Sequence, residues 1–123
     1  MTSALIMTKL VVADLEAASA FYGAVCGVVS VQRIEDDSFA EIIMKAEPGA
    51  GALVLITYKN QPAPVAGECV LVFETGDVAQ FVERAVAAGG SVTQPATRIA
   101  ALNLTYALVK DPEGHIVEAI NRG

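Results

Sequence analysis

Positive charge is scarce in this chain. It has 8 Lys and Arg against 14 Asp and Glu, a net charge of -6 with its single His neutral. A surface that neutralises phosphates needs clustered basic side chains, so nucleic acid is excluded as a partner. Long apolar runs are missing too. None approaches the roughly 20 residues that cross a bilayer, and residues 1–7 carry no basic segment of the kind that opens a secretory leader. The expectation is a cytoplasmic protein with no membrane span. Cysteine is equally sparse: Cys26 and Cys69 lie far apart in settings rich in Ala and Val. That excludes a disulfide framework and predicts two reduced, largely buried thiols. With His115 the sole histidine, a thiol nucleophile has no evident base.

Apolar residues are abundant. They make up 54% of the 123 residues while charged ones make up 18%, and the mean hydropathy is +0.50. A chain of this length forms one domain, or one unit of an obligate dimer. The apolar excess is more than a small core absorbs, which points to a cavity lining or a subunit interface and to a homodimer.

The chain repeats one order twice. A strand over 1–13 leads to Asp14, an N-cap, and then Leu15, Ala18, Phe21, Tyr22 and Val25 recur at helical spacing before Gly27. Strands follow over 28–34, 39–45 and 52–58, with a solvated acidic turn at 35–38 and a glycine-rich turn at 47–51. Residues 61–67, with Pro62, Pro64 and Gly67, read as a linker. A strand over 69–74 then leads to a second N-cap, Asp77, and to the stripe Val78, Phe81, Val82, Ala85 and Val86 closed by Gly89-Gly90. A short strand over 91–94, an irregular loop over 95–103 and a hairpin of 104–110 with 115–120 complete the half. The expected organisation is a single α+β domain with module one at 1–60 and module two at 68–123, each too small to hold a core by itself. Aligning the glycine turns at Gly51 and Gly114 sets Leu55 opposite Glu118.

The hairpin turns on Asp111-Pro112-Glu113-Gly114, where Pro presets φ and Gly frees the last corner. In its second strand Ile116, Glu118 and Ile120 share one face, and Val117 and Ala119 the other. Glu118 is thus the lone charge in a strand apolar on both sides, and such a carboxylate needs a partner, a ligand or a proton. His115 follows the turn glycine and faces the other way, which reads as an exposed turn residue.

The segment Asp-Pro-Glu-Gly-His-Ile-Val-Glu at 111–118, with Leu10-Val11-Val12-Ala13-Asp14-Leu15 and Phe21-Tyr22 ahead of Gly27, resembles the vicinal-oxygen-chelate superfamily of glyoxalase I, bleomycin-resistance proteins and extradiol dioxygenases. The resemblance covers nearly the whole chain. It implies two βαβββ modules in tandem, forming a curved mixed sheet with a concave cavity and with the helices outside. In metal-dependent members of that superfamily the ligands occupy equivalent positions of the two modules. Carried over, those positions are Met7, Leu55, Val70 (or its neighbour Cys69) and Glu118. One carboxylate with Met, Leu and Val cannot satisfy a divalent ion, so no metal and no cofactor are expected, and glyoxalase I or dioxygenase chemistry is disfavoured.

On the cavity face the polar candidates are Lys9, Glu41, Tyr106 and Glu118. Met7, Val11, Ile43, Leu53, Leu55, Thr57, Val70, Val72 and Leu108 are the walls. Each polar group has a plainer reading: Lys9 reaching to solvent, Tyr106 as a core aromatic, Glu41 exposed near a strand edge, Glu118 as an ion-pair partner of Lys9. Glu74 has the parity of the pocket mouth and reads as solvated.

Two functions fit. One is metal-independent binding, for sequestration or carriage, of an apolar small molecule, with Lys9, Tyr106 and Glu118 setting its orientation. The other is a cofactor-independent isomerase or lyase in which Glu118 is the general base and Tyr106 or Lys9 polarises the substrate. The pairing of Glu118 discriminates them: neutralised by Lys9 it loses general-base power, whereas alone among Met7, Leu55 and Val70 it is pushed toward the catalytic range.

Overall fold

The computed structural model describes residues 2–46 and 51–123. The turn expected at 47–51 lies outside the described residues except for Gly51. The elements are β1 (Met7–Val11), α1 (Leu15–Cys26), β2 (Val29–Glu35), β3 (Phe39–Lys45), β4 (Ala52–Tyr58), β5 (Val70–Glu74), α2 (Val78–Ala87), β6 (Ser91–Ile99), β7 (Leu104–Lys110) and β8 (Ile116–Asn121), with a 3-10 turn at Ala100–Leu102. This is an α+β chain in which the order βαβββ occurs twice. Each set of strands forms its own four-stranded sheet, β1-β4-β3-β2 and β5-β8-β7-β6. Both sheets are mixed: β1 with β4 and β5 with β8 run parallel, and the other neighbours are antiparallel.

By contacts the chain divides into two compact units. One takes the chain up to Gly23 together with Gly27–Pro64, and the other takes Ala24–Cys26 and Val65–Gly123. The last turn of α1 is held in the second unit, where Arg84 Nε donates to the Val25 carbonyl at 3.1 Å.

Both helices start for the same reason. Asp14 Oδ1 accepts the Ala17 amide and Asp77 Oδ1 accepts the Gln80 amide, each at 3.0 Å, satisfying an N–H that the first helical turn leaves unpaired. Gly27 ends α1 at φ 72, a left-handed conformation that costs a side chain roughly 1–2 kcal/mol. The α1 stripe Leu15, Ala18, Phe21, Tyr22 and Val25 is buried; of the expected α2 stripe Val78, Phe81 and Ala85 are buried, whereas Val82 is half-buried and Val86 is exposed. Among the described residues no helix is long and apolar enough to cross a membrane.

Two segments differ from the pattern expected of them. β1 occupies only Met7–Val11 and not 1–13. β6 runs to Ile99, where an irregular loop from Pro95 was expected. Pro95 is tolerated because β6 is the edge strand of its sheet and its pairing with β7 shifts register between Gln94 and Thr97, so no ladder hydrogen bond is demanded of the proline.

The hairpin of β7 and β8 is organised by Asp111, which is buried. Its Oδ1 accepts the amides of Glu113 and His115, both at 2.9 Å, and its carbonyl accepts the Gly114 amide at 2.9 Å. Gly114 sits at φ 95, which explains the glycine at that corner. His115 is not exposed as expected. It is 7% accessible, with Nε2 3.6 Å from Glu113 Oε1 and without a hydrogen-bond partner. The same network that closes the turn draws its backbone inward.

Candidate functional site

Strand register decides which side chains share a face. In the second unit Val72 pairs with Glu118 and Glu118 with Leu108, while Val70 pairs with Ile116 and Tyr106 with Ile120. Those residues therefore stand on one side of the sheet. The other side carries Phe73, Ala107, Val109, Val117 and Ala119, and Phe73 meets Phe81 of α2 with ring centroids 6.5 Å apart. Helix α2 covers that second side and leaves the Glu118 side open. Val70 and Val72 are 47% and 54% accessible there, and Glu118, Tyr106 and Leu108 are partly so.

Glu118 is thus a half-buried carboxylate flanked by Val72 and Leu108. Among the described residues it makes no hydrogen bond and no ion pair. Glu74, two residues from Val72 on the same side, contrasts with it. Arg122 Nε and Nη2 donate to its two oxygens at 2.9 and 3.0 Å, and this guanidinium holds the Glu74 carboxyl below the usual carboxylate range. Glu74 is exposed, but it is paired.

Two polar groups of this face were not anticipated. Because β6 continues past Pro95, Gln94 pairs with Leu108 and Thr97 with Tyr106. Gln94 Nε2 donates to Thr97 Oγ1 at 2.8 Å, and Thr97 Oγ1 donates to the Pro95 carbonyl at 2.8 Å. Ile116 and Ile120 extend the apolar surface around Glu118. The alternation of Ile116, Glu118 and Ile120 was visible in the sequence; the β6 pair was hidden by the proline.

In the first unit Lys9 pairs with Val54 and Val11 with Ile56, while Ile43 pairs with Val54 and Glu41 with Ile56. Met7, Lys9, Val11, Glu41 and Ile43 accordingly share a side. Lys9 Nζ lies 3.1 Å from Glu41 Oε1, the lysine side chain 49% accessible and the glutamate 6%. Glu41 is therefore buried and paired, where exposure near a strand edge had been the plainer expectation. The Lys9 ammonium goes to Glu41 of its own unit.

Leu55 requires a correction. It pairs with Leu10 and with Ile42, the side opposite Lys9, and it is fully buried. Leu53 and Thr57 share its parity and face the same way. Equal spacing from Gly51 and Gly114 is off by one residue as a guide to equivalent positions. The Val12 amide donates to the Ile56 carbonyl and the Thr75 amide to the Ile120 carbonyl, each at 2.9 Å and each two residues before a capping Asp. Ile56 thus matches Ile120, and the counterpart of Glu118 is Val54.

At the positions that the superfamily resemblance marks for metal ligands the chain carries Met7 and Val54 in the first unit and Val70 and Glu118 in the second, a thioether and a single carboxylate. These residues do not fit a divalent ion, which takes several O or N ligands. Among the described residues no three His, Cys, Asp or Glu side chains are grouped to hold one.

The two cysteines differ. Burial pushes the Cys26 thiol up to about 12, against a smaller opposing effect of Arg84. Cys69 is exposed, contrary to the buried thiol expected, since it lies just before β5 begins.

Residues 4–119 match the family model of the Glyoxalase/Bleomycin resistance protein/Dioxygenase superfamily. The chain belongs to that superfamily. Solved structures agree in fold. A glyoxylase/bleomycin resistance protein/dioxygenase domain from Frankia sp. EAN1pec superposes with a TM-score of 0.81 at 18% identity, covering 98% of each chain. A glyoxalase-related enzyme from Fulvimarina pelagi gives 0.71 at 26% identity over 98% of this chain and 88% of that one. Glyoxalase I from Zea mays gives 0.75 at 21% identity over 96% of this chain. This superfamily member spans only 46% of the maize enzyme. No curated protein matches it in sequence. A superfamily that hosts many chemistries on one fold leaves function to the side chains of the site.

Proposed function

We propose that this superfamily member binds an apolar small molecule, for sequestration or carriage, on the side of the second sheet that α2 leaves open, without a metal ion. The observation that carries the reading is Glu118. It is a carboxylate without a partner among the described residues, set in a face of exposed and half-exposed aliphatic side chains. Covering that face with ligand gains roughly 25 cal/mol per Å² of apolar surface removed from water, and the polar group sets orientation. Tyr106 and Leu108 on β7 and Val70 on β5 belong to the proposed surface. Met7, Lys9 and Glu41 share a face of the first sheet, where the Lys9–Glu41 pair already occupies their charges, and are a weaker, separate proposal for ligand contact.

Native mass spectrometry of freshly purified protein tests the proposal. A co-purifying small molecule in wild type, absent from Glu118→Gln, is the expected result. Wild type at the bare chain mass even when purified gently from its own host contradicts it.

A second reading, a cofactor-independent isomerase or lyase, draws on the same carboxylate. Because the Lys9 ammonium pairs with Glu41, Glu118 is not neutralised by it and can serve as a general base, with Tyr106 one strand over on the same side. Under that reading Glu118→Gln keeps ligand affinity and loses turnover; under the first it loses affinity. The apolar surface also supports a homodimer burying at least roughly 1,200 Å² in total, which sedimentation at micromolar concentration tests, with a monomer as the contrary outcome.

A further inference from the structure

We infer that the ligand of the Glu118 face is an apolar molecule carrying a protonated amine, the ammonium seated on the Glu118 carboxylate; this rests on the reading that the face binds an apolar ligand.

The inference comes from charge balance. An ionised carboxylate offers about four acceptor positions and no donor. Glu118 has none of them filled among the described residues, and its neighbours across both strands, Val72 and Leu108, supply no donor. The other charges of the face do not reach it. Arg122 is taken by Glu74 through two hydrogen bonds, and Lys110, which pairs in register with Ile116, makes no ion pair with Glu118. The amide of Gln94 is turned to Thr97.

Covering the face with a ligand removes water from Glu118, and the three possible ligand types then differ sharply. A wholly apolar or neutral ligand leaves a desolvated charge without an opposite one, which costs more than an unpaired neutral group. An acid adds a second negative charge, and repulsion excludes it. An amine supplies up to three N–H donors and the opposite charge, giving short charge-assisted bonds in a setting that screens them less than bulk water does. Size follows from the sheet. Strands lie about 4.8 Å apart, so Val72, Glu118 and Leu108 span about 10 Å, the reach of one aromatic ring on a short alkyl chain.

The test is calorimetric titration with three molecules of one shape: 3-phenylpropylamine, 3-phenylpropan-1-ol and 3-phenylpropanoate. Wild type is expected to bind the amine at least roughly tenfold more tightly than the alcohol and to bind the acid least. Glu118→Gln should abolish that preference, while Val72→Ser, at an exposed position, should weaken the amine and the alcohol together. If Glu118→Gln does not fold, the wild-type ratio of amine to alcohol decides. Equal binding of amine and alcohol, both weakened by Val72→Ser, overturns the amine and leaves the apolar ligand standing. Binding of none of the three overturns both, and marks the face as covered by a second copy of the chain if Val72→Ser also dissociates a dimer.

Discussion

Val54 and Glu118 stand at the same place in the two modules, each on the strand that runs parallel to its module's first strand, and one is aliphatic where the other is charged. Their neighbours invert in turn. Lys9 and Ile43 flank Val54, whereas Val72 and Leu108 flank Glu118. Glu41 and Tyr106 also correspond, since they pair with the matching residues Ile56 and Ile120. In the first module the charges satisfy each other around an apolar centre. In the second a charge sits at the centre with an apolar surround, and this asymmetry is why the candidate site is placed there.

The Lys9–Glu41 pair predicts an unequal pair of variants. Lys9→Met strands a carboxylate whose side chain is 6% accessible, and a buried acceptor without its partner costs about 2 to 3 kcal/mol. Glu41→Gln leaves an ammonium that is half exposed and turns to water, so the loss is expected to stay below about 1 kcal/mol. Urea denaturation of both variants, and of the double variant, measures this; the double variant should recover most of the Lys9→Met loss. Equal losses in the two single variants would show that the pair is not buried on the glutamate side.

The two thiols should separate by reactivity. At pH 8 the exposed Cys69 is expected to react with Ellman's reagent in the folded protein and Cys26 is not, because a thiol held near 12 has almost no thiolate at that pH. One equivalent per folded chain and two after denaturation is the expected count. The raised value also has a stability consequence. The contribution of the Cys26 thiol is complete below its ordinary value near 9 and is lost as pH rises toward 12. Alkaline loss of thermal stability should therefore be smaller in Cys26→Ala than in wild type.

Metal content follows from the donor set. With Met7, Val54 and Val70 supplying no oxygen or nitrogen, elemental analysis after mild dialysis is expected to find well under one equivalent of Zn, Ni, Mn or Fe per chain. A stoichiometric metal removed by EDTA would refute the placement of those three residues.

The fold was largely legible because its signals are local. Capping Asp residues at Asp14 and Asp77, alternation in β8, and the Asp111–Gly114 turn each depend on a few adjacent residues. What the sequence hid depends on contacts between distant ones. Equal spacing from Gly51 and Gly114 gave Leu55 the role of Val54, since register is set by the Val12 and Thr75 amides and not by the turns. A one-residue slip of that kind turns every side chain to the other face. Pro95 masked the second half of β6, and with it Thr97 as the partner of Gln94, because an edge position with a register shift removes the usual objection to proline. The burial of Glu41 and of His115 could not be read from parity, which assigns a face without telling how well that face is covered.

The most direct measurement is methyl-resolved NMR of the wild-type protein titrated with 3-phenylpropylamine, with Glu118→Gln as the comparison. Because Glu118 leaves no ammonium stranded when it is neutralised, the variant should keep its thermal midpoint within a few degrees and give an interpretable spectrum. The account predicts saturable shifts at the methyl groups of Val72, Leu108, Ile116 and Ile120, with Val109 and Val117 on the α2 side moving little, and the same shifts in Glu118→Gln only at roughly tenfold higher amine concentration. Shifts centred on other residues, or the same shifts in Glu118→Gln at the wild-type amine concentration, would contradict it.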